Sequence, residues 1–276
     1  MHLDCAGKRL DLSRPVVMGV LNVTPDSFSD GGCYLNIADA LRRAEVMTTE
    51  GAAIIDVGGE STRPGAPSVS VPEELDRVLP VVERLARDLP IPISVDTSKP
   101  EVMREAIAAG AGLINDVRAL RLPGAVEVVA ASKVPVCLMH MRGEPDTMQQ
   151  EPRYADVVAE VRTFLAERVR ACEIAGIAHN RILIDPGFGF GKTLAHNLSL
   201  LRHLDRFVGL AAGVIAGLSR KSMIGLLSNA SVDERLSGSL AAAVIAVWQG
   251  AHIIRAHDVR ETVQALRVCT ATLTAE

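Results

Sequence analysis

Eight short apolar runs in this sequence end in, or carry near their end, residues able to do chemistry. These are Asn22, Asp56, Asp96, Asn115, His140, Asp185, Ser219 and the cluster Arg255/His257. Taken singly, each has a plain alternative: Asp and Asn are favoured caps for a following helix. Eight polar endings on eight runs are harder to treat as independent caps. A carboxylate at the inner end of an apolar run is costly unless a cation or a donor-rich ligand meets it. Two of the endings open into loops rich in glycine, proline and hydroxyl residues, at 22–32 and 58–66. Such loops present backbone N–H groups and commonly serve as lids that keep water from reactive intermediates. Surface turns are the alternative, and the weaker one, since both loops grow from the polar ends.

The runs themselves span 16–21, 53–57, 91–95, 113–114, 134–139, 181–184, 213–218 and 252–254. They are near-continuously apolar rather than alternating, as parallel strands buried on both faces are. Amphipathic segments separate them, among them 37–49, 72–87, 100–109, 154–175 and 234–248. Strand–helix alternation repeated eight times predicts an α/β fold, a single closed (β/α)8 TIM barrel, with every polar ending on one face. An open doubly wound sheet is the alternative. No Gly-x-Gly-x-x-Gly follows the first run, which weakens its dinucleotide-binding version. Residues 3–11 alternate around Ala6-Gly7-Lys8 and predict a short N-terminal β-hairpin that closes the bottom of the barrel. No linker, repeat or low-complexity stretch marks a second domain, so residues 1–276 are expected to form one.

Composition narrows the function classes. The chain is 48% apolar, ample for a large core, and only 3% aromatic, which argues against a nucleic-acid stacking platform or a carbohydrate cleft. Its formal net charge of −4 and lack of any basic run argue against nucleic-acid binding. The five cysteines (Cys5, Cys33, Cys137, Cys172, Cys269) form no Cys-x-x-Cys pair and read as reduced cytosolic thiols. No signal-peptide core stands at 1–12, and the longest apolar stretch, 240–247, is too short to span a bilayer. A cytoplasmic protein without membrane attachment is expected. Residues 187–193 imitate a phosphate loop, but its first glycine would fall on Pro186. The histidines lack His-x-x-x-His spacing, so a zinc hydrolase is not expected, and His140 reads as a satisfied strand-end histidine. The segment 240–248, apolar nearly all round, suggests a subunit interface.

Longer motifs add a resemblance. Residues 18–32 read Met-Gly-Val-Leu-Asn-Val-Thr-Pro-Asp-Ser-Phe-Ser-Asp-Gly-Gly, and 55–65 read Ile-Asp-Val-Gly-Gly-Glu-Ser-Thr-Arg-Pro-Gly. Further pieces are Ser-Val-Asp-Thr at 94–97, Ile-Asn-Asp at 114–116, Met-His-Met-Arg-Gly at 139–143, Asp-Pro-Gly-Phe-Gly-Phe-Gly-Lys at 185–192, Ser-Arg-Lys-Ser at 219–222 and Arg-Ala-His-Asp at 255–258. In this order, over nearly the whole chain, they resemble the dihydropteroate synthases of bacterial type. One departure is Ala256, where the family often carries a larger aliphatic residue; no polar group is affected.

The resemblance implies a transferase of folate biosynthesis that joins 6-hydroxymethyl-7,8-dihydropterin diphosphate to 4-aminobenzoate and releases pyrophosphate, with Mg2+ assisting. It implies that Asp96, Asn115, Asp185 and Lys221 bind the pterin ring, whose donors and acceptors suit carboxylates, an amide and an ammonium. Arg255 and His257 are then expected at the diphosphate and Asn22 at the metal. Thr62 and Arg63 are assigned to the diphosphate or the arylamine. Ser222 is assigned to the 4-aminobenzoate carboxylate, and Phe190 with Pro64 to its ring. Arg63, Lys221 and Asp30 are the catalytic candidates, Asp30 for stabilising a cationic methylene. A homodimer and inhibition by sulfonamides are also implied. The rival readings are a pterin-binding methyltransferase barrel and a non-catalytic pterin-binding paralogue. The first is weakened by the Ser-Thr-Arg-Pro-Gly loop and the missing Asp-x-His-x-x-Gly corrinoid motif, the second by the retention of Thr62, Arg63, Lys221, Arg255 and His257.

Overall fold

A computed structural model describes residues 1–24, 37–61, 68–143, 148 and 152–275. Strands β1 (His2–Cys5) and β2 (Lys8–Asp11) form an antiparallel pair ahead of eight parallel strands. These are β3 (Val16–Asn22), β4 (Ile54–Gly58), β5 (Ile93–Asp96), β6 (Leu113–Asp116), β7 (Val136–Met139), β8 (Ile182–Asp185), β9 (Gly213–Gly217) and β10 (Ile253–Ala256). They pair in sequence order and β10 closes onto β3, making the expected barrel. Around it run α1 (Ile37–Glu50), α2 (Val71–Asp88), α3 (Pro100–Ala108), α4 (Ala125–Ala131), α5 (Val157–Ile174), α6 (Leu194–Arg202), α7 (Ser222–Ser228), α8 (Leu236–Trp248) and α9 (Val259–Leu273).

Each strand buries two faces, which is why its run is apolar without alternation. Val17, Leu21, Ile55, Val57, Ile114 and Ile184 pack outward into one core with the helices. Met18, Ile54, Leu113, Cys137, Leu183 and Ile253 belong instead to a second cluster inside the barrel, completed by Leu3, Cys5, Leu10 and Leu12. The hairpin therefore closes the bottom of the barrel as its pattern suggested. Its two turn residues, Ala6 and Gly7, have φ of 54° and 83°, the left-handed pair that a tight hairpin demands. The seat is close: a Cβ on Gly112 would stand 2.6 Å from the Cys5 carbonyl oxygen. Lys8 Nζ donates to the carbonyls of Ala86 and Leu89, both at 2.6 Å, and so ties the hairpin to the end of α2.

The apolar runs stop short of several strands. β3, β5 and β8 extend one residue beyond them, to Asn22, Asp96 and Asp185, and β6 and β10 two residues, to Asp116 and Ala256. Backbone pairing continues where the inward side chains turn polar, so hydropathy alone ends these strands too early, while β7 ends with its run at Met139 and β9 one residue before its run does.

Candidate active site

Two residues beyond the apolar interior layer, β4, β6, β8 and β10 turn Asp56, Asn115, Asp185 and Arg255 into the barrel mouth, joined by Asp96 of β5. Arg255 Nε donates to Asp56 Oδ2 at 2.6 Å and Nη2 to Asp96 Oδ2 at 3.0 Å. Asn115 Nδ2 donates to the same Asp56 oxygen at 3.1 Å. Asp56, read from the sequence only as a strand ending, is thus the hub that orients two candidate ligand-binding groups. The signal for it was present: a carboxylate within the buried run Ile54-Ile55-Asp56-Val57 requires partners. Its second oxygen, Oδ1, is buried without a hydrogen-bond partner among the described residues.

Burial sets the charges here. It pushes the Asp96 carboxyl up to about 7, against the pull of Arg255 and with reinforcement from Asp56, Asp116 and Glu74. Asp185 is raised for the same reason, although Lys221, the Gly187 N–H, Lys192 and Arg255 all favour its ionised form. Its Oδ1 accepts from Gly187 N at 2.7 Å. Lys221 is lowered by burial to about 8, with Asp185 opposing the shift. For Arg255, burial disfavours the cation but Asp56 and Asp96 outweigh it, so the guanidinium is held more firmly charged than usual.

The four residues 219–222 divide their work. Arg220 takes a left-handed φ of 59° and turns outward, where Nε meets Asp258 Oδ2 at 3.0 Å. That turn sends the next side chain inward. Lys221 Nζ donates to the Phe188 carbonyl and stands 4.7 Å from the centre of the Phe190 ring, so cation and aromatic face are already in contact. Ser222 is exposed at the start of α7. Ser219 receives the backbone N–H of His257 at 3.2 Å and lies 3.0 Å from its Nδ1, which fixes the imidazole at the rim beside β9 and β10.

Glycines keep the mouth open. A Cβ on Gly58 would stand 3.6 Å from Asn22 Oδ1, and one on Gly217 would stand 3.8 Å from both Asp185 Oδ2 and Lys221 Nζ. Asn22, at the end of β3, therefore presents its amide oxygen beside an unfilled space. The structure brings together Asp96, Asn115, Asp185, Lys221, Phe190 and Arg255 in one mouth, with Asn22, His257 and Ser222 around its edge. Arg255 is bonded to Asp56 and Asp96, and His257 stands two residues further along the chain. Asp30, Thr62, Arg63 and Pro64 lie outside the described residues.

Supporting residues are also visible. Asp116 accepts from the backbone N–H groups of Arg118 and Leu120, both at 2.7 Å, and from the Ser98 hydroxyl. It holds the turn in which Ala119 and Leu120 adopt φ of 54° and 55°. His140 is a satisfied histidine, as expected, with Lys192 Nζ 2.9 Å from its Nδ1 and burial lowering it to about 3. Among the described residues no cluster of three His, Cys, Asp or Glu side chains has the spacing to hold a metal alone. A separate cleft of about 390 Å³ opens beside β3 and α9 near Arg14 and Arg267, and none of the candidate residues lines it.

A parallel barrel with polar, ionisable donors and acceptors at its carboxyl end is the architecture of a small-molecule enzyme, and its carboxylates, amide and basic groups suit a heterocycle carrying alternating donors and acceptors. Residues 18–257 match the family described as "Pterin binding enzyme", and the chain belongs to that family. Its relatives narrow the class. Dihydropteroate synthase of Escherichia coli strain K12 is 59% identical over 276 residues, covering 100% of this chain and 98% of that one. The Haemophilus influenzae enzyme of the same name is 51% identical over 275 residues, with all of both chains covered. Among solved structures, Yersinia pestis dihydropteroate synthase in a sulfonamide complex superposes with a TM-score of 0.95 at 55% identity, covering both chains fully. The Xanthomonas albilineans enzyme bound to 7,8-dihydropteroate gives 0.92 at 52% identity, again over 100% of each chain. Within the pterin-binding enzymes, this chain is a member of the dihydropteroate synthases, which are transferases.

Proposed function

We propose that this chain condenses 6-hydroxymethyl-7,8-dihydropterin diphosphate with 4-aminobenzoate, giving 7,8-dihydropteroate and pyrophosphate. The observation that carries the reading is the convergence of Asp96, Asn115, Asp185 and Lys221 on one mouth beside Arg255. That set offers acceptors for the pyrimidine N–H donors, an amide for the edge where donors and acceptors alternate, and an ammonium for the carbonyl side. Asp185 has lone pairs beyond the one given to Gly187, and Arg255 has three N–H donors beyond those bound to Asp56 and Asp96. Those donors face the diphosphate in this reading, with His257 beside them.

Magnesium fits the donor set in a limited way. Asn22 gives one neutral oxygen, and the absence of a three-ligand cluster among the described residues suits an ion that takes its remaining ligands from diphosphate and water. When bound, it would neutralise charge building on the leaving diphosphate. The chain's own groups then carry the reaction. Asp96, Asn115, Asp185 and Lys221 hold the dihydropterin so that electron density from its ring expels the diphosphate. The bond between methylene carbon and oxygen breaks with its electron pair going to the leaving group, which Arg255 and His257 stabilise. The neutral arylamine nitrogen attacks the cationic methylene and afterwards loses a proton. Phe190 forms a wall for its ring, Ser222 meets its carboxylate, and Thr62, Arg63 and Asp30 act from the two loops.

Pyrophosphate release that depends on 4-aminobenzoate, in the presence of dihydropterin diphosphate and magnesium, is the expected result. No arylamine-dependent release at any magnesium level overturns the assignment. Asp30→Ala is expected to reduce turnover far more than pterin affinity, and a near-wild-type turnover removes Asp30 from the mechanism.

We further propose a cytoplasmic homodimer. Cys5, Cys137, Cys172 and Cys269 are free and buried, which suits a reducing compartment. No helix among the described residues is long and apolar enough to cross a membrane. Helix α8 buries Ala242, Ala243 and Ala246 but exposes Ile245 and Trp248, and α7 exposes Leu226 and Leu227. Exposed apolar side chains of this kind suit a second copy. Sedimentation is expected to show a dimer that Trp248→Glu weakens.

A further inference from the structure

Lys192 is an anomaly that the proposed chemistry leaves unused: a lysine only 3% exposed, with no carboxylate among the described residues bonded to it. Its Nζ lies 2.8 Å from the Gly187 carbonyl, 2.9 Å from that of Phe190 and 2.9 Å from His140 Nδ1. Burial pushes Lys192 well below the ordinary lysine value, with Lys221 adding to the shift, and three acceptors surround its Nζ. They come from two places: the end of β7, and both sides of the turn at 187–190.

That turn is otherwise built with little material. A Cβ on Gly187 would stand 1.9 Å from the His140 carbonyl oxygen, and one on Gly191 would stand 2.3 Å from that of Arg142, so backbone lies directly on backbone. Gly187, Gly189 and Gly191 all have positive φ, at 71°, 83° and 64°. A run of glycines this permissive has little intrinsic rigidity. Polar side chains hold it: Asp185, whose Oδ1 accepts from Gly187 N at 2.7 Å, Lys192 from inside, and Asn197, whose Oδ1 accepts from Gly189 N at 2.7 Å, from the α6 side. The same turn carries the Phe188 carbonyl that receives Lys221 Nζ and the Phe190 ring against which that ammonium rests.

We propose that Lys192 is a positioning residue for the active site: its Nζ binds the backbone of the 187–190 turn to the end of β7, and the turn thereby fixes Lys221 and Phe190. The inference rests on the proposed function only where it touches substrates. Its direct consequence, the environment of Lys221, is measurable without them.

The test is a 15N–1H titration of the lysine Nζ groups in substrate-free protein, wild type against Lys192→Met. Loosening the turn admits water to Lys221, whose titration midpoint is expected to rise by about one unit toward the ordinary lysine value. In steady-state assays the same variant is expected to raise KM for 4-aminobenzoate by about tenfold. Lys221 midpoint and shift unchanged in a folded Lys192→Met protein overturn the inference, whatever happens to its melting temperature. If that variant does not fold, Asn197→Ala loosens the turn from its other side, and the Lys221 midpoint is expected to move in the same direction. An unmoved midpoint there overturns the inference equally. A wild-type protein without synthase activity refutes the proposed function but leaves the Lys221 titration to decide this one.

Discussion

At the N-terminal end of the barrel interior, Met18, Ile54, Leu113, Leu183 and Ile253 pack on the hairpin residues Leu3, Cys5, Leu10 and Leu12. Two residues further along the same strands stand Asp56, Asn115, Asp185 and Arg255. The lower layer is stabilised by removing apolar surface from water, and any well-shaped apolar residue serves it. The upper layer works against stability. It contains a carboxylate oxygen without a partner among the described residues, an aspartate raised to about 7 and a lysine lowered to about 8. One end holds the barrel together so that the other can keep buried charge in a state useful to a ligand.

Substitutions at neighbouring positions of β8 test that contrast most strongly. In the proposed function, Asp185→Ala removes a carboxylate that accepts from the ligand's N–H donors, and a loss of pterin affinity of about 3 kcal/mol or more, roughly 100-fold, is expected. Its melting temperature should stay level or rise, because burial of that carboxylate was itself costly. Leu183→Ala, in the lower layer, should reverse the pattern: about 2–5 kcal/mol less stable by denaturant titration, with affinity kept in the folded fraction. Equal behaviour of the two variants would break the comparison.

Arg255→Leu ranks next. It leaves Asp56 and Asp96 buried without their cation, and a stability loss of about 3 kcal/mol is expected. Calorimetry reads that loss, and Arg255→Leu combined with Asp56→Leu should recover part of it.

The pH response sharpens the same division. Asp96 is raised from an ordinary 3.8 to about 7, so the folded protein retains a proton that the unfolded chain gives up. The stability linked to that proton is complete below the unfolded value and is lost as pH rises through about 7. Lys221 is lowered from 10.5 to about 8, and its stability contribution is present above 10.5 and lost as pH falls through about 8. If pterin binding uses ionised Asp96 and protonated Lys221, kcat/KM for the pterin substrate should form a narrow bell with limbs near 7 and 8. A flat profile from pH 6 to pH 9 removes both groups from binding.

The smallest effect belongs to the hairpin. Lys8→Met frees the carbonyls of Ala86 and Leu89 from a partly exposed lysine. A loss of about 1 kcal/mol by denaturant titration, with unchanged kinetics, is expected.

Much of this was legible in the residues. Strands buried on both faces must be apolar on both, and eight such runs alternating with amphipathic segments leave few architectures open. The polar endings mark one face of the barrel as the candidate site. Hydropathy misjudged the strand ends because backbone pairing is indifferent to the side chain's polarity. Among candidate residues, types and motifs selected Asp96, Asn115, Asp185, Lys221 and Arg255, and the structure brings all five into one mouth.

What only the tertiary structure decided is pairing. Asp56 becomes a hub because β10 carries Arg255 across the interior to β4 and β5, 199 and 159 residues away in the chain. Of two adjacent cations, Arg220 turns out to Asp258 and Lys221 turns in, a choice made by one left-handed φ. Lys192 looked like the tail of a failed phosphate loop and is a buried brace. Local sequence determines what a side chain is able to do and which period it follows. Which partner it meets depends on closing the barrel, since that brings residues far apart in sequence within hydrogen-bond reach and sets the burial that shifts their charges.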